Sequence, residues 1–237
     1  MADRYWVGGT ANWDGTAGTK WSATSGGAGG ASVPTSADDV FFTNLSTGTC
    51  TISSGNTGAK SINCTGFTGT LAGNAVIIVS GSVTLVAGMT FTYNGTMTLN
   101  GTGTLTSAGK TFGPVNISGS GITVTLADAL TSSGTLTVTQ GTFDTASYNV
   151  TATDVSSTNS NTRTITLGSS IITLSGTATV FNAATNTNLT FNSGTSTFVL
   201  SGAGSTLDGG SNIAGSGLVF YNVSYTSTTV GTPRNIV

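Results

Sequence analysis

The stretch that decides the fold is Val83-Thr-Leu-Val-Ala-Gly-Met-Thr-Phe-Thr-Tyr-Asn-Gly-Thr-Met-Thr-Leu-Asn-Gly-Thr-Gly-Thr-Leu-Thr106. Apolar side chains stand at Val83 and Leu85, at Met89, Phe91 and Tyr93, and at Met97 and Leu99, with Thr filling most positions between them. That is period two, the signature of short strands with one buried and one wetted face. Thr suits the wet face because its β-branch favours extended backbone and its hydroxyl tolerates water. Asn94-Gly95 and Asn100-Gly101 interrupt the runs where corners are needed, and their glycines are read as supplying positive φ.

The same grammar extends in both directions. Val115 and Ile117 precede Ile122, Val124 and Leu126, and Leu136 with Val138 follows. No stretch has a helical period. Repetition is degenerate but visible: Gly103-Thr-Leu-Thr106 with Thr111-Phe112 recurs as Gly134-Thr-Leu-Thr137 with Thr142-Phe143, and Phe112-x-x-Val115 as Phe220-x-x-Val223. Short strand units without long crossovers are expected to wind as an all-β, right-handed parallel β-helix. Coils of roughly 20–25 residues would make about nine turns. The alternative is an antiparallel β-sandwich, since period two does not set strand direction.

Composition narrows the function. Of 237 residues, 49 are Thr and 35 Gly; the eight acids are all Asp, the six bases are scattered, and His is absent. With a formal charge of −2, no phosphate-neutralising patch is available, so no nucleic-acid partner is expected. The longest apolar run, Ala75-Val-Ile-Ile-Val79, is too short to insert in a membrane. The start, Met-Ala-Asp-Arg-Tyr-Trp6, lacks the basic-then-apolar pattern of a secretory signal.

Residues 1–39 differ from the body at 40–237. They hold all three tryptophans, Trp6, Trp13 and Trp21, a Gly-rich run at 26–30 and four of the eight Asp. An open solenoid end exposes core and unpaired strand edges, so this segment is read as an N-terminal cap, with the Trp rings as its packing and as attachment candidates. Leu218 to Tyr225 reads as strand and Arg234-Asn-Ile-Val237 as the beginning of another, so the body is expected to continue or dock beyond that end. Cys50 and Cys64 share faces with Ile52 and Ile62 and should point inward as free thiols, a disulfide remaining open. No metal or other cofactor is expected, for there is no Cys/His ligand spacing, and Asp208-Gly-Gly lacks the calcium-repeat context.

The opening Arg4-Tyr-Trp-Val-Gly-Gly-Thr10, Asn12-Trp13, the run Trp21-Ser-Ala-Thr-Ser-Gly-Gly-Ala-Gly-Gly-Ala-Ser-Val-Pro34 and Ala37-Asp-Asp-Val-Phe-Phe42 resemble the start of repetitive solenoid proteins of tailed phages and of some bacterial surface proteins. Cys64-Thr-Gly-Phe-Thr-Gly-Thr-Leu71 and Phe220-Tyr-Asn-Val223 are similar to recurring elements of that group. The resemblance implies a virion structural protein: a fibre, spike or capsid decoration. Its partners would be other capsid or tail proteins, with a host-surface glycan as a further one and a homo-trimer as the assembly. Such a protein is made in the host cytoplasm without a signal peptide and reaches the outside on the particle.

Enzymatic readings are weaker. Glycoside cleavage uses two carboxyls about 5–10 Å apart; the candidates are Asp128, Asp144 and Asp154, because Asp38 and Asp39 alternate across a strand. Isolated Asp more commonly closes turns, and the chain is read as non-catalytic. A glycan-binding or glycan-cleaving tail spike and a bacterial adhesin are the alternatives. TxT pairs at Thr96/Thr98, Thr104/Thr106, Thr123/Thr125, Thr135/Thr137/Thr139, Thr164/Thr166 and Thr195/Thr197 would make an ice-binding hydroxyl array if stacked. Their irregular intervals are expected to scatter them over different faces, as ordinary solvent-facing Thr.

Overall fold

The computed structural model describes residues 2–16, 18–54, 57–210 and 218–227, and these form a parallel β-solenoid of about eight turns without a helix. Each coil lays down three short strands. In the coil after the cap they are Asp39–Phe41 on a first face, Thr49–Ile52 on a second and Thr57–Ala59 on a third. Every strand pair is parallel except Asp3–Trp6 with Trp21–Ser22. The sandwich alternative, which requires antiparallel pairing, is thereby excluded.

Register shows how uneven strand spacing becomes an even stack. On the third face Ala59, Val79, Leu99, Ile117 and Val138 form one inward column, and Leu136, Val155, Phe181 and Leu207 continue that face. The step between rungs is as short as 18 residues, from 99 to 117, and as long as 26, from 181 to 207. Loops absorb the difference, because each rung needs only its three inward segments to superimpose. The visible sequence repeat is therefore not the coil: Gly103–Thr106 lies on the first face, whereas Gly134-Thr-Leu-Thr137 lies on the third. A separation of 31 residues is about one and a half coils, so what recurs is strand-and-turn chemistry.

Inward residues fuse into one core from Trp6 to Leu207. Phe91 and Ile122 are the expected core members that remain only partly buried. Ile122 sits where Val115–Leu126 shifts register as it bends from the third face to the first. The turn at Gly121, with φ of 70°, needs the left-handed region that glycine adopts freely. Gly95 and Gly101 do not have positive φ, contrary to the reading of their Asn-Gly pairs. They are glycines because of the coil beneath: a Cβ on Gly101 would lie 1.7 Å from the Ser80 carbonyl oxygen, and one on Gly95 2.4 Å from that of Ala75.

The boundary at residue 39 is compositional rather than architectural. Asp3–Trp6 pairs in parallel with Asp39–Phe41, and Ala11–Trp13 with Thr49–Ile52, so the cap segment itself builds the first rung. Only Trp21–Ser22 runs antiparallel and covers the edge. At the other end the strand is Asn222–Tyr225, shorter than expected, because Phe220 leaves extended backbone to pack 5.3, 5.4 and 5.0 Å from the rings of Phe181, Phe191 and Phe198. Arg234–Val237 lie outside the described residues.

Candidate functional site

Trp6, Trp13 and Trp21 are fully buried. Trp21 meets the other two edge-to-face at 5.1 and 5.0 Å, and Phe42 closes the cluster at 6.2–6.3 Å. Rings without exposed surface offer no stacking platform, so any attachment through residues 1–39 must use their outer side chains. The Trp6 indole N–H donates to the Gly9 carbonyl at 3.2 Å, while those of Trp13 and Trp21 have no partner. Burial with aromatic packing offsets that loss.

The eight carboxylates serve the backbone or one another's neighbours. Asp128 accepts the amides of Ser107 and Ala108 in the preceding coil at 2.7 and 2.6 Å; Asp144 accepts Ala146 N–H at 2.8 Å, and Asp208 accepts Gly210 N–H at 2.9 Å. Asp144 stands on the first face and Asp154 on the third, so the geometry does not join the two as a pair. Asp38 and Asp39 point apart as alternation requires. Asp38 is buried; burial raises its pKa, but Thr35 hydroxyl and amide, Ala2 N–H and nearby Arg4 outweigh this and hold it below the ordinary value. Asp39 turns outward to Lys60 Nζ, 3.1 Å away, and to the Ser61 hydroxyl. Register also brings Asp3 beside Asp39, a juxtaposition that sequence spacing hides behind 36 residues.

Arg163 was invisible as anything but a scattered base. It is buried, and all five of its N–H groups are used: Nε to Ser157 Oγ, and the two terminal nitrogens to the carbonyls of Asn161, Thr187, Ser157 and Thr185, at 2.5–2.8 Å. These acceptors belong to the corner loops of two successive coils. No acid faces the guanidinium; carbonyl dipoles hold it, and burial lowers its pKa. It occupies the corner where the coil lengthens to 26 residues. Cys50 and Cys64 are free and buried, and burial raises both thiols, Cys64 to about 12. No group of three metal-binding side chains occurs among the described residues.

The outer surface carries the most regular arrangement, and it corrects the expectation for the TxT pairs. On the first face Thr123, Thr142, Thr164 and Thr190 are register partners in one column. Beside them run Thr104, Thr125, Asp144, Thr166 and Asn192 in a second column. Thr102, whose hydroxyl accepts the Thr123 amide at 3.2 Å, extends the first column downward. Thr104–Thr106, Thr123–Thr125 and Thr164–Thr166 thus share a face, because loops of different length restore the register that linear spacing loses. Pairs elsewhere do scatter: Thr98 and Thr137 lie on the third face.

Elsewhere the third face has an open groove of about 350 Å³ between Pro34–Ser36 and Gly58, Ile78 and Asn100. None of its lining residues is charged or aromatic. Comparison with protein-family models, with curated proteins and with solved structures finds no match to this chain.

Proposed function

We propose that the chain is a non-enzymatic structural rod of a tailed-phage particle, serving as a fibre, spike or capsid decoration. The observation that carries the mechanical part is the unbroken core from Trp6 to Leu207 under parallel ladders on three faces. Coil-to-coil hydrogen bonds run along the axis, so bending must stretch many of them together. Carboxylates engaged in turns and inter-coil bonds support a non-catalytic reading, since general acid–base work needs convergent, available groups. The assignment to a particle rests on the resemblance of residues 4–42 to phage solenoid proteins. The test is to purify particles encoded by the same genome, identify their proteins by mass spectrometry and label this one with gold-tagged antibody. The chain should co-purify at constant stoichiometry and label one particle location; recovery only in the soluble lysate would sink the proposal.

A further inference from the structure

We propose that the paired hydroxyl columns of the first face form a surface that binds ordered water, and through it the face of an ice crystal. The inference goes beyond the particle reading and does not depend on it. Five successive rungs contribute Thr102/Thr104, Thr123/Thr125, Thr142/Asp144, Thr164/Thr166 and Thr190/Asn192. The hydroxyls of Thr123, Thr125, Thr142, Thr164 and Thr190 bond to no other group of the described chain, so their capacity is available to an outside partner. β-Branching restricts χ1, which fixes where each hydroxyl and methyl stands.

The chemistry of the array selects the partner. Asp144 is its single charge, and its carboxylate is drawn to the Ala146 amide; a neutral array complements a neutral partner. The ten positions include no aromatic ring on which a sugar could stack and no base for a phosphate. What remains is a rigid net of hydroxyls and methyls. Rungs repeat at about 4.8 Å, and alternate residues along a strand at about 6.6 Å. Waters about 2.75 Å apart in tetrahedral arrangement have second neighbours about 4.5 Å apart. Over the four intervals of the column the mismatch sums to about 1.2 Å, under half a water–water distance. Hydroxyls can therefore take lattice places along the column while methyls sit in the gaps between waters.

The experiment uses the full chain in an ice-recrystallisation assay with microscopy of crystal shape. The wild type should facet crystals and halt their coarsening. Thr142→Lys with Thr164→Lys should raise the concentration required at least tenfold, whereas Thr131→Lys with Thr151→Lys, on the second face, should leave it unchanged. If the lysines alter the melting temperature, Thr142→Ser with Thr164→Ser removes only the methyls and should give a loss in the same direction. Asp144→Thr completes the third rung and should lower the concentration required. A wild type indistinguishable from an inert protein at equal concentration overturns the proposal, as does equal loss from both lysine pairs. Retention on immobilised polysaccharide that the first-face lysines abolish, without any effect on ice, would replace water by glycan and equally overturn it.

Discussion

Arg163 is the residue on which one corner of the solenoid depends. Its side chain satisfies four carbonyls and a hydroxyl that are otherwise buried. Arg163→Lys leaves at most three donors for five acceptors and should cost about 3 kcal/mol or more, from about 1–3 kcal/mol per orphaned buried group. Arg163→Met should cost at least as much, and a shift in the urea midpoint measures both. The buried thiols make a second residue-scale prediction. With burial raising their pKa, Cys50 and Cys64 should resist alkylation in the native protein at pH 8 and react only at the rate of global unfolding. Fast native labelling would contradict their placement. Inward Cys was readable from alternation with Ile52 and Ile62. Buried Arg163 was not, because its partners are backbone carbonyls from a loop 22–24 residues further along the chain, and carbonyls carry no sequence signature.

At the scale of the element, strands were legible and corners were misread for a physical reason. Period two marks a strand from its own residues, whereas the demand for glycine at residue 101 comes from Ser80 one coil below. Gly101→Ala should therefore destabilise by more than an ordinary turn substitution, because the clash is with backbone and cannot be relieved by a rotamer change. Gly109→Ala offers the contrast: φ is 74° but no atom lies near its Cβ, so only the conformational cost of about 1 kcal/mol applies. Thermal melts of the two variants should rank them in that order. The second face shows another element-level device. Its ladder breaks between Thr90–Tyr93 and Thr111–Phe112, and Lys110 Nζ spans the break to the carbonyls of Ala87 and Met89 at 2.8 and 2.6 Å. The rings of Phe91 and Phe112, 5.1 Å apart, keep the core continuous there.

For the whole molecule, the titrating groups predict a broad plateau of stability with two edges. Asp14 is held at about 2, first by the Thr16 hydroxyl and then by Lys20, and Asp38 is also lowered. A depressed carboxyl stabilises above its unfolded value, and that contribution is lost as pH falls through the folded one. The acid edge should therefore fall between about pH 4 and pH 2. The thiols have the opposite sense: unfolded cysteine ionises near pH 8.5 while native Cys64 does so only near 12, so stability falls as pH rises across that interval. With no histidine in the chain, denaturant midpoints should hardly change between pH 5 and 8, and a step there would contradict this account.

Taken alone, the amino-acid sequence determined that the chain is all-β, that alternate apolar residues form its interior and that Thr clothes the outside. Those properties are set strand by strand, by each residue's relation to its immediate neighbours. Tertiary structure alone decided which threonines stand in columns, which glycines are obligatory, where Arg163 finds its acceptors and that residues 3–13 belong to the first rung. Each of these depends on superposing segments 18 to 36 residues apart, and loops of variable length erase that register from the linear order.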